Sequence, residues 1–599
     1  MITFVLQPGG LPAYRVDYLG KPIILESRLG FEPGFTNGFA WVAASTNSHA
    51  SQWSPVYGER RTIPDRYNQL EVDLRAPSGR AMRLSLRAFN EGAALRYTFP
   101  ALSNAGPLVF AAERTEFRFP ENTFGYEEHA TEGEYRRSII ENIQPWCERP
   151  LTLEYASGLY ASLTEAANEA YPRMLLSGLP GVPGALVSAL GGPTSNTVRD
   201  GDPNGDWRAT LAPGASTPWR LLVVGQKPGD LLERNYLVLN LNAPLALKDV
   251  SWLQPGKAMR DMTLTVTNSK AIIDFAAQAG LQFVHLDAGW YGTEDIDRGD
   301  ATQPRMGGRW VRNLAQPVDL QAILRYGHEK NVGVWLYVDR RQIKKQRDVL
   351  FPLYQKWGVA GVKIGFVDVG PQAETAWITE TIQQAAEHHL MLNIHDGYRP
   401  TGLERSYPNL MTVEGVRGNE HMPTPEHNCT LPFTRYVAGP ADYTVCYYTP
   451  RKQTTFAHQL AMAVVSYSPV QWILWYDKPS DCRGEPEIEF FRQVPTVWDE
   501  TKVLQGEIGK FASIARRSGE DWFIGTINNR ETRRLKLPLT FLQPGKPYRA
   551  HGYSDDPSAP GRTHVAVATR EVDAQTVLEV PLAPGGGQAL WLARTPDGR

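Results

Sequence analysis

Residues 332–339 read Val-Gly-Val-Trp-Leu-Tyr-Val-Asp, "VGVWLYVD". The run is apolar on both parities and ends in a carboxylate. A strand with one wet face alternates. A strand buried on both faces does not, and such strands belong to parallel sheets covered by helices. The neighbouring text repeats the pattern. "NSKAIIDFAAQAG" (268–280) predicts a helix with Asn268 as N-cap and Gly280 as stop, and "LQFVHLDAGW" (281–290) follows as a strand. "VDLQAILRYGHEKN" (318–331) is helical, and a helix around 348–357 leads into "GVAGVKIGF" (358–366). "PQAETAWITETIQQAAEHH" (371–389) is a helix with Pro371 near its first turn. The strands "LMLNIHD" (390–396), "NLMTVEG" (409–415) and "VQWILWYD" (470–477) complete the series. So many strand–helix units in succession fit a (β/α)8 barrel better than an open doubly wound sheet.

Outside this region the grammar differs. "YRVDYLGKPIIL" (14–25) sets Gly-Lys between two strand-like runs, and "RLSLRAFNEGAALRYTF" (83–99) does the same around Asn-Glu-Gly. "DWFIGTINN" (521–529) and "VLEVPL" (577–582) return to alternation near the C-terminus. The expected architecture is therefore multidomain: an N-terminal β-sandwich over 1–245, a central (β/α)8 TIM barrel over 246–508, and a C-terminal antiparallel β-sandwich domain over 509–599. A chain of 599 residues also exceeds what a single hydrophobic core supports.

Composition removes several function classes. Acidic and basic residues nearly balance (64 against 62), so no field of one sign favours nucleic acid. No apolar run is long enough for a membrane span. The opening "MITFVLQPGG" lacks a basic n-region and a cleavage site, and reads as the middle of a first strand, which hints that a natural leader was removed. Cys147, Cys429, Cys446 and Cys482 show no Cys-x-x-Cys spacing, so neither zinc nor a redox pair is indicated.

In a (β/α)8 barrel the C-terminal strand ends face the active-site mouth. Those ends here are Asp287, Asp339, Gly365, Asp396 and Glu414, with Glu420 six residues further on. Carboxylates gathered at one mouth repel one another unless a proton, a basic side chain or a cation intervenes. Lys363, His395 and Arg417 are candidates for the compensating charge, and Trp290 and Tyr291 in "DAGWYG" for a sugar platform. Paired carboxylates with aromatics on a barrel point to glycoside hydrolysis, and an oxygen-only ligand set points to Ca²⁺ rather than zinc. Spacing alone does not divide these carboxylates between calcium and acid/base roles.

Those same residues resemble glycoside hydrolase family 97, whose members cleave terminal α-glucosides or α-galactosides. The resemblance runs over almost the whole chain: "SRLG" near the start, "LTEAANEAYP" (163–172), "VSWLQPGKA" (250–258), "DAGWYG" (287–292), "GVKIGF" (361–366) and "NIHDGYRPTGLERSYPNLMTVEGVRGNE" (393–420). It implies the same three-domain architecture, with Glu420 as general acid and Glu165, Asp396, Glu414 and Glu420 as Ca²⁺ ligands. Lys363 and His395 match contacts to the sugar in the −1 subsite, and Asp287, Trp290 and Arg417 complete the candidate substrate-binding set. Position 365 divides the family's two mechanisms: an aspartate nucleophile in retaining members, glycine in inverting ones. Gly365 thus implies inversion, with Asp396 or Asp339 as the base and open room at 365 for a water. Both base positions carry aspartate where inverting members carry glutamate, one methylene longer.

The resulting expectation is an exo-acting, calcium-dependent, inverting α-glucosidase on maltooligosaccharides or related glycosides. It would be a monomer or homodimer and would act in the periplasm or outside the cell, with the cytoplasm as the alternative. The alternatives are an α-galactosidase or other α-glycosidase of the same family, and a carbohydrate-binding protein that has lost turnover.

Overall fold

The computed structural model describes residues 1–101, 106–130, 132–190, 207–294, 297–306, 316–367 and 370–595. Two antiparallel sheets, of six and nine strands, form the N-terminal domain. Their inner faces share one core, in which Tyr14 and Ile24 of the smaller sheet meet Leu84, Leu163 and Leu222 of the larger. This is the expected sandwich. Its second hairpin turns at Leu19-Gly20, so that Tyr18 pairs with Lys21.

Seven parallel strands build the barrel: β1 (Gly256–Asp261), β2 (Phe283–Leu286), β3 (Gly333–Asp339), β4 (Gly361–Gly365), β5 (Met391–Ile394), β6 (Leu410–Val413) and β7 (Val470–Trp472). The hydrogen-bonded order is β6-β5-β4-β3-β2-β1-β7. Between β6 and β7 the segment 441–445 takes the remaining place without strand geometry. The Asp442 N–H donates to Val413 O at 2.9 Å and the Val445 N–H to Trp472 O at 2.9 Å, which closes the ring. Flanking helices are α1 (Val266–Ala279), α2 (Leu320–Glu329), α3 (Arg340–Trp357), α4 (Gln372–Glu387) and α5 (Phe456–Val465).

Strand parity explains the unbroken apolar text. Val334, Leu336 and Val338 of β3, with Val362 and Ile364 of β4, pack outward in the core that the helices complete. The opposite parity points inward, where Phe283, Trp335, Met391 and Trp472 fill the barrel floor. Glycines on that parity make room for aromatics from the next strand. A Cβ at Gly361 would lie 2.7 Å from the Trp335 ring, and one at Gly365 would overlap the Tyr337 hydroxyl. Such overlap leaves only glycine sterically possible beside an unmoved neighbour.

Two helix starts differ from the sequence reading. Thr265, not Asn268, caps α1: its side chain accepts from the Asn268 N–H, while Gly280 ends the helix in the left-handed region as expected. Helix α3 begins at Arg340, well before residue 348, because Asp339 caps it and accepts from the Arg341 N–H. That strand-end carboxylate is thereby committed to local structure.

The C-terminal domain pairs a six-stranded antiparallel sheet with the two-stranded sheet of Arg533–Pro538 and Val577–Leu582 around Ile524, Leu537 and Leu578. It packs on α5, where the neutral His458 ring donates from Nδ1 to Gly586 O (3.1 Å) and accepts at Nε2 from Asn428 (3.0 Å). Among the described residues, no helix is long and apolar enough to cross a membrane.

Candidate active site

At the mouth, the inward-facing ends of β4, β5 and β6 bring charged groups together. Lys363 is fully buried, and its Nζ lies 3.1 Å from Asp442 Oδ2 and 3.5 Å from Glu414 Oε2, over the Trp475 ring. Burial works against its charge, but Asp442 and then Glu414 outweigh that and hold its pKa above the ordinary lysine value. His395 stands between carboxylates. Its Nδ1 is 2.9 Å from Asp396 Oδ2, and its Nε2 is 3.1 Å from Glu414 Oε2 and 4.0 Å from Glu420 Oε2. Here too burial opposes the charge, and Asp396 with Glu414 holds the ring well above the usual histidine range. The same contact outweighs burial at Asp396 and keeps that carboxyl below its ordinary value. Glu414 is the exception: burial pushes its carboxyl well up.

Asp396 sits at φ 60° and Phe366 beside it at φ 53°, both in the left-handed region that non-glycine residues rarely adopt. Such conformations cost about 1–3 kcal/mol each and gather at functional sites. Glu420 is the most open of the mouth carboxylates, with 31% of its side chain exposed, and its backbone N–H is anchored to Thr444 Oγ1 at 3.2 Å.

One buried oxygen on each of Glu132 and Glu420 has no hydrogen-bond donor, and the matching oxygens of Asp396 and Glu414 face the His395 ring and Lys363 without a well-aligned hydrogen bond. Candidate ligand atoms of Glu132, His395 and Asp396 lie within 4.8 Å of one another, as do those of His395, Glu414 and Glu420. Donor-poor carboxylate oxygens converging in this way fit a hard cation such as Ca²⁺. Glu132 comes from the N-terminal domain. Arg399 pairs with Glu128 at 2.5 Å and Arg417 Nη1 donates to Glu132 O at 3.4 Å, which ties that segment to the mouth. His421 also pairs with Glu132.

Family models match the chain in three blocks. Glycosyl-hydrolase 97 N-terminal covers residues 1–244, Glycoside hydrolase 97 covers 252–416, and Glycosyl-hydrolase 97 C-terminal, oligomerisation, covers 497–593. A probable retaining alpha-galactosidase of Streptomyces bingchenggensis is 30% identical, over 88% of this chain and 82% of that protein. The chain belongs to glycoside hydrolase family 97. A retaining alpha-galactosidase of Bacteroides thetaiotaomicron is 28% identical, over 96% of this chain and 93% of its own. Solved family 97 enzymes from Pseudoalteromonas sp. strain K8, one in complex with acarbose and another with panose, align with a TM-score of 0.89 at 28% identity. They cover 99% of this chain and 98% of theirs. The chain is a glycosidase.

Within this family 97 barrel, four expectations need correction. Trp290 is no sugar platform: it is fully buried, donates from Nε1 to Tyr337 O at 2.7 Å and packs edge-on to Tyr291. Asp339 is also fully buried, and Arg341 grips both its oxygens, Nε to Oδ1 at 2.9 Å and Nη2 to Oδ2 at 2.8 Å. Its charge is thereby spent on Arg341 and on the start of α3. Glu165 lies on the strand Tyr160–Ala166 inside the N-terminal domain, with Arg149 at 2.6 Å and Arg220 at 2.8 Å, outside both groups of converging ligand atoms. Finally, the space at Gly365 is not open, because the Tyr337 phenol fills it. Asp287 does reach the mouth, paired with Arg260 and accepting from the Ala288 N–H at 2.7 Å. Arg417 lies at the rim, 3.3 Å from Glu134.

Sequence reasoning missed Asp442, Glu132 and Tyr337. Asp442 comes from the barrel position that lacks strand geometry, so no strand pattern marks it. Glu132 lies in the acid-rich run "YEEHATEGE" (126–134), whose charge density was its one visible signal.

Proposed function

We propose that the chain is an exo-acting α-glycosidase that inverts the anomeric centre, with α-glucosides as its substrates. The filled space at Gly365 carries the reading, since the strand end there offers no carboxylate. A retaining glycosidase needs a nucleophilic carboxyl about 5–5.5 Å from its acid; an inverting one needs two carboxyls about 6.5–9.5 Å apart, with a water between. Glu420 and Asp396 face opposite nitrogens of the His395 ring, which supports the wider arrangement.

In this mechanism Glu420 protonates the departing glycosidic oxygen. Asp396, kept ionised by the His395 imidazolium, takes the proton of the attacking water. Lys363 offsets Glu414 and Asp442 and holds them in place. The N-terminal segment bearing Glu132 walls one side of the mouth and supports end-on entry of a chain terminus. Two carboxylate pairs flank His395, Glu414 with Glu420 on one side and Glu132 with Asp396 on the other, and these are the residues that would hold Ca²⁺, whereas Glu165 is held by its arginines. When bound, the ion would supply the positive charge that lets these carboxylates share one mouth.

Panose, a trisaccharide of α-linked glucose bound by a solved relative, supports the glucoside preference. The names of the two curated relatives favour a second reading, an α-galactosidase. A panel of nitrophenyl α-glycosides separates them: preference for the glucoside supports the first reading, and preference for the galactoside contradicts it. We also propose a homo-oligomer joined through the C-terminal domain, in line with the description of the family model matched there. Light scattering that gives one chain mass would refute it.

A further inference from the structure

We propose that Tyr337 is the specificity-determining residue that keeps a carboxylate nucleophile out of this site and so fixes the stereochemical course. The inference rests on the inverting reading above and goes beyond it, since that reading identifies a vacancy of chemistry at 365 and not its cause.

Three observations converge on this residue. Tyr337 on β3 pairs in parallel register with Lys363 on β4, and both point inward on the parity that also carries Gly365. Its ring meets His395 edge-on, with centroids 6.4 Å apart, so the phenol borders the group that separates Asp396 from Glu420. A Cβ at Gly365 would overlap the Tyr337 hydroxyl and the adjoining ring carbons. Neither residue is free to move independently. The backbone at 365 is paired with Asp339 of β3, and Ile364 before it with Ile394 of β5, and Tyr337 is 4% exposed, on the strand whose Tyr337 carbonyl accepts from Trp290. Steric exclusion is the consequence. Any side chain at 365 competes with the phenol for one space.

The hydroxyl adds a second role. Burial pushes the Tyr337 phenol well above its ordinary pKa, so it remains a neutral O–H at any working pH. A neutral phenol can donate one hydrogen bond and accept another, but it cannot attack an anomeric carbon as a carboxylate does. Placed beside His395, it would hold the sugar or the attacking water by hydrogen bonding while forming no covalent intermediate. The glycine and the tyrosine thus act as a coupled pair.

The test uses the full-length protein in four forms: parent, G365D, Y337A/G365D and Y337F. Thermal melting and proton NMR of the first-formed product anomer from a cleaved nitrophenyl α-glycoside are read for each. G365D alone is expected to melt lower and turn over at least about 10²-fold more slowly, because the new side chain displaces the phenol. Y337A/G365D should recover the melting temperature and release the α-anomer first. Y337F keeps the ring and should keep the parent anomer, with kcat/KM reduced about tenfold through loss of one hydrogen bond to the reacting groups. G365D with parental melting and turnover would overturn the proposal, as would a folded double variant that still gives the β-anomer or gives no product. Y337F with parental kcat/KM would overturn the hydroxyl's role. An α-anomer from the parent would instead sink the inverting reading, and the two failures are thereby distinct.

Discussion

At the residue scale, the proposed division of labour between Glu420 and Asp396 has a kinetic signature. An acid matters most when the leaving group is poor, whereas a base that activates water matters for every leaving group. Glu420→Gln should therefore lower kcat on a maltooligosaccharide by about 10²–10⁴-fold and spare a nitrophenyl glycoside much of that loss. Asp396→Asn should slow both substrates alike. Equal losses in Glu420→Gln on the two substrates would remove it as the acid. Asp339→Asn makes the contrasting case. Asparagine still caps α3 but loses the charge that faces Arg341, so the melting temperature should fall while kcat stays within a few-fold of the parent. A loss comparable to that of Asp396→Asn would return Asp339 to the mechanism. Nothing in the sequence separated these two aspartates, since both end a β-strand. Asp339 is followed at once by a helix whose first N–H groups need an acceptor, while Asp396 opens a left-handed turn that aims its carboxyl at His395.

At the scale of elements, the barrel was legible because burial on two faces leaves an unbroken apolar run, and helices with caps fill the gaps. Where that logic stops, so did the reading. The closing segment 441–445 is neither strand nor helix, and it supplies Asp442. Glu165 shows the other limit: a motif matched by family likeness took on meaning from the strand it occupies. There, Arg220 bridges Glu165 to Glu113, all three side chains buried. Arg220→Met should destabilise the N-terminal domain by about 3–5 kcal/mol, because it strands two buried carboxylates. Urea unfolding checks this, and a change below about 1 kcal/mol would show that the network is hydrated. Trp290 was misjudged for a related reason. An aromatic after a strand end reads alike whether it faces the mouth or folds back under α3.

At the scale of the whole molecule, the barrel and the C-terminal domain are joined by a buried polar contact that responds to pH. His458 links α5 to the C-terminal domain, and burial lowers its pKa from about 6.5 to about 4. Its folded-state pKa is depressed, so the unfolded chain takes up this proton first as pH falls. Stability is then lost between about pH 6.5 and pH 4, by up to about 3 kcal/mol from this group. His458→Gln removes the titration, and the melting temperature of that variant should fall less steeply over the window than the parent's. Parallel slopes would assign the acid sensitivity elsewhere. The proposed calcium ion belongs to the same scale, since Glu132 comes from one domain and Asp396, Glu414 and Glu420 from another. Chelation with EGTA should lower both the melting temperature and kcat, and addition of Ca²⁺ should restore both; values unmoved by EGTA would count against the ion. The central claim concerns how these domains present one reacting water to one sugar. Proton NMR of the anomer first released from an α-glycoside tests it most directly: the β-anomer is expected, and the α-anomer would contradict the account.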